Sequence, residues 1–177
     1  PPYVYERPLP GQGIHDNGGA LHWYTCPVNG ARYLKVYPDG SLVDGNSLWR
    51  ARASWAIWVG PGHPANHAGD VTTPCSFRAE LVAILEIIKR ATVPVAIMGD
   101  CQGALHIFQR LSDAGNPLRE ADGMNKHDDA DIIRLIAKII QESPDDHFRC
   151  QWVPSHLTDP PTGNIRKDRE REVGLQQ

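Results

Sequence analysis

Cysteine is sparse in this chain: Cys26, Cys75, Cys101 and Cys150 are four of 177 residues, widely separated and without a CxxC pair. That spacing argues against a disulfide scaffold and for free thiols in a reducing compartment. No apolar run approaches the roughly 20 residues of a membrane-spanning helix. The N terminus also lacks the order of a signal peptide. The expectation is an intracellular chain, in cytoplasm or nucleus, with no membrane contact. An excess of positive charge is missing too. Lys and Arg total 18 against 21 Asp and Glu, a net charge of −3, so no global basic field is available to hold a polyanion.

What is present is globular, with 41% hydrophobic and 22% charged residues in a length that suits one domain. The opening Pro1-Pro2-Tyr3-Val4 is not an initiation site, so the chain reads as a piece of something longer. Residues 1–30 read as an arm or linker from a preceding region, within which 21–26 could add a strand. Residues 31–177 read as the domain. Segment 31–37 alternates and is rich in β-formers, which predicts a strand, as does 51–59 with Trp55, Ile57 and Val59 on one side. Asp39-Gly40-Ser41 and the polar stretch to Asn46 read as their connection, and 70–73 carries a weaker strand signal.

Residues 76–90 carry the clearest helical pattern, with Phe77, Leu81, Ile84, Leu85 and Ile88 on one stripe. The continuous apolar run 93–98 suits a buried strand, and 101–111 predicts a second helix. Segment 112–126 reads as a loop, with Gly115, Pro117 and Gly123 as breakers. Residues 128–140 predict a third helix with the acidic start that the helix dipole favours. A strand follows at 148–153, and 165–172 reads as the first turns of a last helix. This order predicts an α/β fold: a five-stranded mixed sheet, antiparallel in front, flanked by helices on both faces.

Three acids stand where chemistry could be built. Asp39 follows Val36-Tyr37-Pro38, and Asp100 follows the apolar Ala96-Ile97-Met98-Gly99. Either alone could be a turn or cap aspartate. Glu80, in Phe77-Arg78-Ala79-Glu80-Leu81, borders the apolar stripe and alone could be a flanking helix charge. Phosphodiester hydrolysis can use carboxylates of this kind, as hard ligands for a pair of divalent ions about 4 Å apart.

With Trp152-Val153-Pro154-Ser155-His156 and Gly163-Asn164-Ile165-Arg166-Lys167-Asp168, these blocks resemble the ribonuclease H family of type 1, over residues 31–168. Arg52-Ala53-Ser54-Trp55, Asp100-Cys101-Gln102-Gly103 and Val153-Pro154-Ser155-His156-Leu157 are most similar to the ribonuclease H domains of eukaryotic retroelement reverse transcriptases. The resemblance implies a ribonuclease H-like fold and endonucleolytic cleavage of the RNA strand of RNA–DNA hybrids. It implies two Mg²⁺ ions, with Mn²⁺ as a substitute. As partners it implies a covalently linked upstream reverse transcriptase domain in a retroelement polyprotein, the isolated domain being monomeric.

By the same resemblance Asp39 bridges both metals, Glu80 and Asp100 ligate one, and Asp168 ligates the other, with Asp159 as the alternative fourth acid. His156 relays a proton or helps product leave. Gly40, Ser41, Ser76, Phe77, Arg78, Gln102 and Asn164 are the expected substrate contacts. The chain departs from the family at Phe77, where an amide is common, in the net-acidic segment 112–126, and at Lys167, where a small residue is usual. The acidic segment implies weak hybrid binding in isolation, since phosphate contacts dominate affinity. Three rivals stand beside this reading. They are a catalytically degenerate domain of the same fold, a transposase or integrase of the same architecture, and a zinc module using His63, His67 and Cys75.

Overall fold

A computed structural model describes residues 2–47 and 49–154 of the chain. Its elements run β1 (Trp23–Thr25), β2 (Arg32–Val43), β3 (Arg52–Trp58), β4 (His67–Val71), α1 (Ser76–Arg90), β5 (Val95–Gly99), α2 (Gln102–Asp113), α3 (Pro117–Asp122), α4 (Ala130–Glu142) and β6 (Phe148–Trp152). The strands form an open mixed sheet in the order β4-β3-β2-β5-β6, with β1 also paired to β2. β1, β3 and β4 join antiparallel, whereas β2–β5 and β5–β6 are parallel. The front half is thus the antiparallel meander that the alternating sequence predicts, and the buried apolar strand β5 sits beside it.

The periodicity of α1 explains its seat. Leu81, Ile84, Leu85 and Ile88 are all at most 3% exposed and share one core with Leu34 and Val36 of β2, Ile97 of β5, Phe108 of α2 and Ile136 of α4. Alternate strand residues turn the other way, where Tyr33, Ala96 and Met98 meet Cys26 and Val153 in a smaller cluster. Among the described residues, the buried side chains of all four helices belong to the first face. The last helix expected at 165–172 lies outside the described residues. No helix among them is long and apolar enough to cross a membrane. The four cysteines are free.

Two expectations are corrected. The segment Asp39-Gly40-Ser41 is not a connection, because β2 continues through it and pairs with β3 from Tyr37↔Trp58 to Val43↔Arg52. Pro38 is accommodated because it lies past the last β2–β5 pair, Val36↔Ile97, so its missing N–H breaks no bond of that ladder. Segment 112–126 is not all loop, since Pro117–Asp122 is a short helix. Asn116 caps it by accepting from the Arg119 N–H at 3.2 Å, and Pro117 takes an early position where no N–H is needed. Read as a breaker, that proline is in fact a helix start.

Parts of the segment before β2 pack on the body, Tyr3, Ile14, Leu21 and Trp23 among them. β1 extends the edge of β2, and Ile14 is fully buried and bridges to Ala91 just past α1.

Candidate active site

The parallel pairing of β2 with β5 sets the geometry. Leu34 is level with Val95, so the same offset carried forward brings Asp39 level with Asp100, where both strands leave the ladder. Helix α1 supplies the third acid by packing unusually close. A Cβ on Gly40 would lie 2.6 Å from the Glu80 nitrogen and 2.8 Å from the Ala79 carbonyl carbon, so only glycine lets the helix backbone touch the strand here. The Gly40 backbone N–H favours the ionised Glu80 carboxylate.

Electrostatics show the same convergence. Burial pushes the Glu80 carboxyl up to about 7, and the charges of Asp100 and Asp39 push the same way, against the stabilising Gly40 N–H. Next in sequence to Asp100, the half-buried Cys101 thiol is raised first by burial and then by Glu80 and Asp100. The charges of Asp100 and Asp39 thus act on Glu80 where β2, β5 and α1 come together. At the same rim the Trp152 indole N–H donates to the Asp100 carbonyl at 3.0 Å, and the Val153 N–H to the Gly99 carbonyl at 2.8 Å. These bonds fix the end of β6 beside the end of β5. Neither Cys101 nor Trp152 was singled out as a site residue from sequence, although both stand inside the quoted motifs. Among the described residues, no group of three His, Cys, Asp or Glu side chains is closed tightly enough to hold a metal ion.

The remaining expected residues divide. Arg78 is 5% exposed, and its guanidinium is committed to Asp129 at 3.0 Å and to Asp131 at 2.9 and 2.8 Å. This corrects its assignment as a substrate contact, because a buried, doubly paired cation joins α1 to α4 and is not free to meet a phosphate. Asp129 and Asp131 are the partners that sequence reasoning missed. Phe77 packs between His127, at a ring separation of 5.9 Å, and Gly103, where a Cβ would lie 3.1 Å from its ring. Ser41 shares a 2.6 Å hydroxyl–hydroxyl hydrogen bond with Ser54. Ser76 and Gln102 are exposed at the first residues of α1 and α2. His156, Asp159, Asn164 and Asp168 lie outside the described residues.

The zinc alternative fails on hydrogen bonding. His63 is 3% exposed, with its Nε2 at 2.8 Å from the His15 carbonyl and its Nδ1 at 3.0 Å from the Ala65 N–H. Nε2–H must donate and Nδ1 must accept, so neither nitrogen is available to a metal. His67 instead lies against the Trp55 ring, 5.5 Å between centroids.

No protein-family model matches the chain, and no curated protein matches it in sequence. In three dimensions it is similar to the PFV RNase H domain, known from a solution structure. The TM-score is 0.53 with 14% identity, over 90% of this chain and 95% of that one. The chain has the ribonuclease H-like fold. Its strand order, together with the crevice where β2, β5 and α1 meet, is the frame within which function can be argued.

Proposed function

We propose that this chain is a divalent-metal-dependent endonuclease that hydrolyses the RNA strand of RNA–DNA hybrids. The observation that carries this reading is the convergence of Asp39, Glu80 and Asp100 at one rim of a ribonuclease H-like sheet. The donor set fits Mg²⁺ or Mn²⁺. It consists of hard carboxylate oxygens, partly buried, whose mutual repulsion raises Glu80 and would be relieved by a divalent cation. Asp39, Glu80 and Asp100 would hold the metal, with Asp168 as the fourth donor expected from sequence. When bound, a pair of such ions supplies an activated water and neutralises charge on the leaving oxygen.

The chain's own residues do the positioning. Asp39 would be shared by both ions, the role that the family resemblance assigns it. The Gly40 N–H favours the ionised form of Glu80, the form that would hold a cation. Trp152 anchors the Asp100 backbone. His156 is assigned the proton relay at the leaving group. Ser41, Ser76, Phe77, Gln102 and Asn164 are assigned to the nucleic acid, whereas Arg78 is withdrawn from that set.

The net charge of −3 and the sequestration of Arg78 support weak hybrid binding by the isolated chain. They favour a monomeric module whose affinity comes from an attached upstream reverse transcriptase domain in a retroelement polyprotein. One observation favours the catalytically degenerate alternative: among the described residues, no group of three His, Cys, Asp or Glu side chains is arranged to hold a metal ion. Digestion of an end-labelled RNA–DNA hybrid with Mg²⁺ or Mn²⁺, beside duplex DNA and duplex RNA, separates the two. Cleavage of the hybrid's RNA strand alone supports the nuclease. An uncut hybrid at millimolar metal overturns it.

A further inference from the structure

The segment before β1 makes contacts that a passive linker would not. The Tyr3 N–H donates to Asp131 at 2.8 Å, the same carboxylate that receives Arg78 near the start of α1. The Tyr3 hydroxyl donates to Glu86, in the middle of α1, which is 5% exposed. Lys89 donates to both the Tyr3 oxygen and Glu86 at 3.0 Å, and its ammonium also stands 4.7 Å from the Tyr5 ring. Farther on, the Ile14 N–H donates to the Arg90 carbonyl at 2.8 Å, and the Ile14 carbonyl accepts from the Thr92 N–H at 3.1 Å and the Thr92 hydroxyl at 2.7 Å. The middle and the end of α1 are thus tied to one stretch of chain, and its start indirectly, through Asp131 of α4.

Glu80 projects from the same helix, whose backbone at Ala79 and Glu80 meets β2 at Gly40 with no room even for a methyl group. A helix so closely seated has two supports: the strand near its start, and this segment at Glu86, Lys89 and Arg90 toward its end. A small retreat of α1 from β2 would lengthen the Gly40 N–H to Glu80 hydrogen bond and open the acid crevice.

We infer that residues 2–14 are a strap that holds α1 against β2, with Tyr3 a positioning residue for Glu80. The strap makes the segment before β1 part of the working domain. This inference rests on the proposed role of Glu80, but the seating of the helix can be read without any cleavage assay.

The test uses the full chain with Tyr3→Ala and Tyr3→Phe, beside Phe108→Leu, a core substitution in α2 chosen to weaken the domain away from the strap. Amide hydrogen exchange is followed at Gly40 and, as a reference for opening of the sheet, at Ile97 in β5. Under the strap account, Tyr3→Ala speeds exchange at Gly40 about tenfold more than at Ile97, as expected of a local opening. Tyr3→Phe, which keeps the ring and the Asp131 contact, has a smaller effect of the same pattern. Phe108→Leu raises both sites together. The midpoint of the Mg²⁺-induced thermal shift should rise about fivefold in Tyr3→Ala, a modest coupling between sites.

Parallel acceleration at Gly40 and Ile97 in the Tyr3 variants would overturn the inference, leaving the segment a general stabiliser. No change at Gly40 would overturn it equally. If Tyr3→Ala does not fold, Tyr3→Phe decides by the same comparison. A chain that never cuts hybrid but shows selective loosening at Gly40 would refute the nuclease reading and leave the strap standing.

Discussion

Glu80→Gln isolates the electrostatic claim at the candidate site. The amide keeps the shape and an acceptor for the Gly40 N–H but removes the ionisation. In the metal-free protein the Glu80 carboxyl is raised from 4.5 to about 7, by burial first and then by Asp100. The fold therefore prefers the protonated form. Its stabilising contribution is fully present below about 4.5 and is lost as pH rises through about 7. Taken at face value the difference is roughly 3 kcal/mol. Glu80 is only partly buried, so solvent screening reduces this to about 1.5 kcal/mol, or about 4 °C in Tm for a domain of this size. With EDTA present, wild type should lose that much between pH 5 and pH 8 relative to Glu80→Gln. Saturating Mg²⁺ should restore it to wild type and do little for the variant. Thermal melts across pH read this directly. Identical pH slopes for the two proteins would refute the reasoning, because burial and the neighbouring acids would then not raise Glu80.

Other expectations follow from the same geometry. Asp100→Asn should abolish Mg²⁺-dependent hybrid cleavage while changing stability by no more than about 0.5 kcal/mol, measured by denaturant melts. Gly40→Ala would place a methyl 2.6 Å from the Glu80 nitrogen, so it should cost about 1–3 kcal/mol and eliminate cleavage together. Arg78→Met should leave Asp129 and Asp131 unpaired and destabilise by about 3 kcal/mol, without the selective rise in KM expected of a lost substrate contact. Asp131 is held at about 2, chiefly by its hydrogen bonds from Arg78. Its contribution is present above the ordinary 3.8 and is lost as pH falls toward 2, and Arg78→Met should flatten that acid limb in a pH-dependent melt.

Much of the sheet and its helices was legible because burial imposes simple periods on the sequence. The stripe from Phe77 to Ile88 marked α1 to the residue, and the alternation around Trp55 and Ile57 marked β3. Locally ambiguous chemistry hid the rest. Asp-Gly-Ser reads as a turn, yet here Gly40 is a strand residue selected for contact with a helix, a tertiary demand with no local signature. Asn116-Pro117 reads as a break, but the same pair caps a helix. Asp39, Glu80 and Asp100 could be proposed as one site only through motif order, because their nearness depends on a parallel register between β2 and β5. Arg78 misled for a related reason. An arginine beside a site glutamate resembles a phosphate contact, and its partners Asp129 and Asp131 lie some fifty residues away. The packing of Tyr3 and Ile14 carried no periodic signal at all in a Pro- and Gly-rich stretch.

The central claim is that Asp39, Glu80 and Asp100 share a divalent cation, and Mn²⁺ titration followed by amide NMR tests it most directly. Paramagnetic broadening should appear first at Asp39, Gly40, Glu80, Asp100 and Cys101, and Mg²⁺ should compete it away. Broadening that begins elsewhere, around His63 and His67 or the exposed acids of α3, or that spares these amides at millimolar Mn²⁺, would contradict the account.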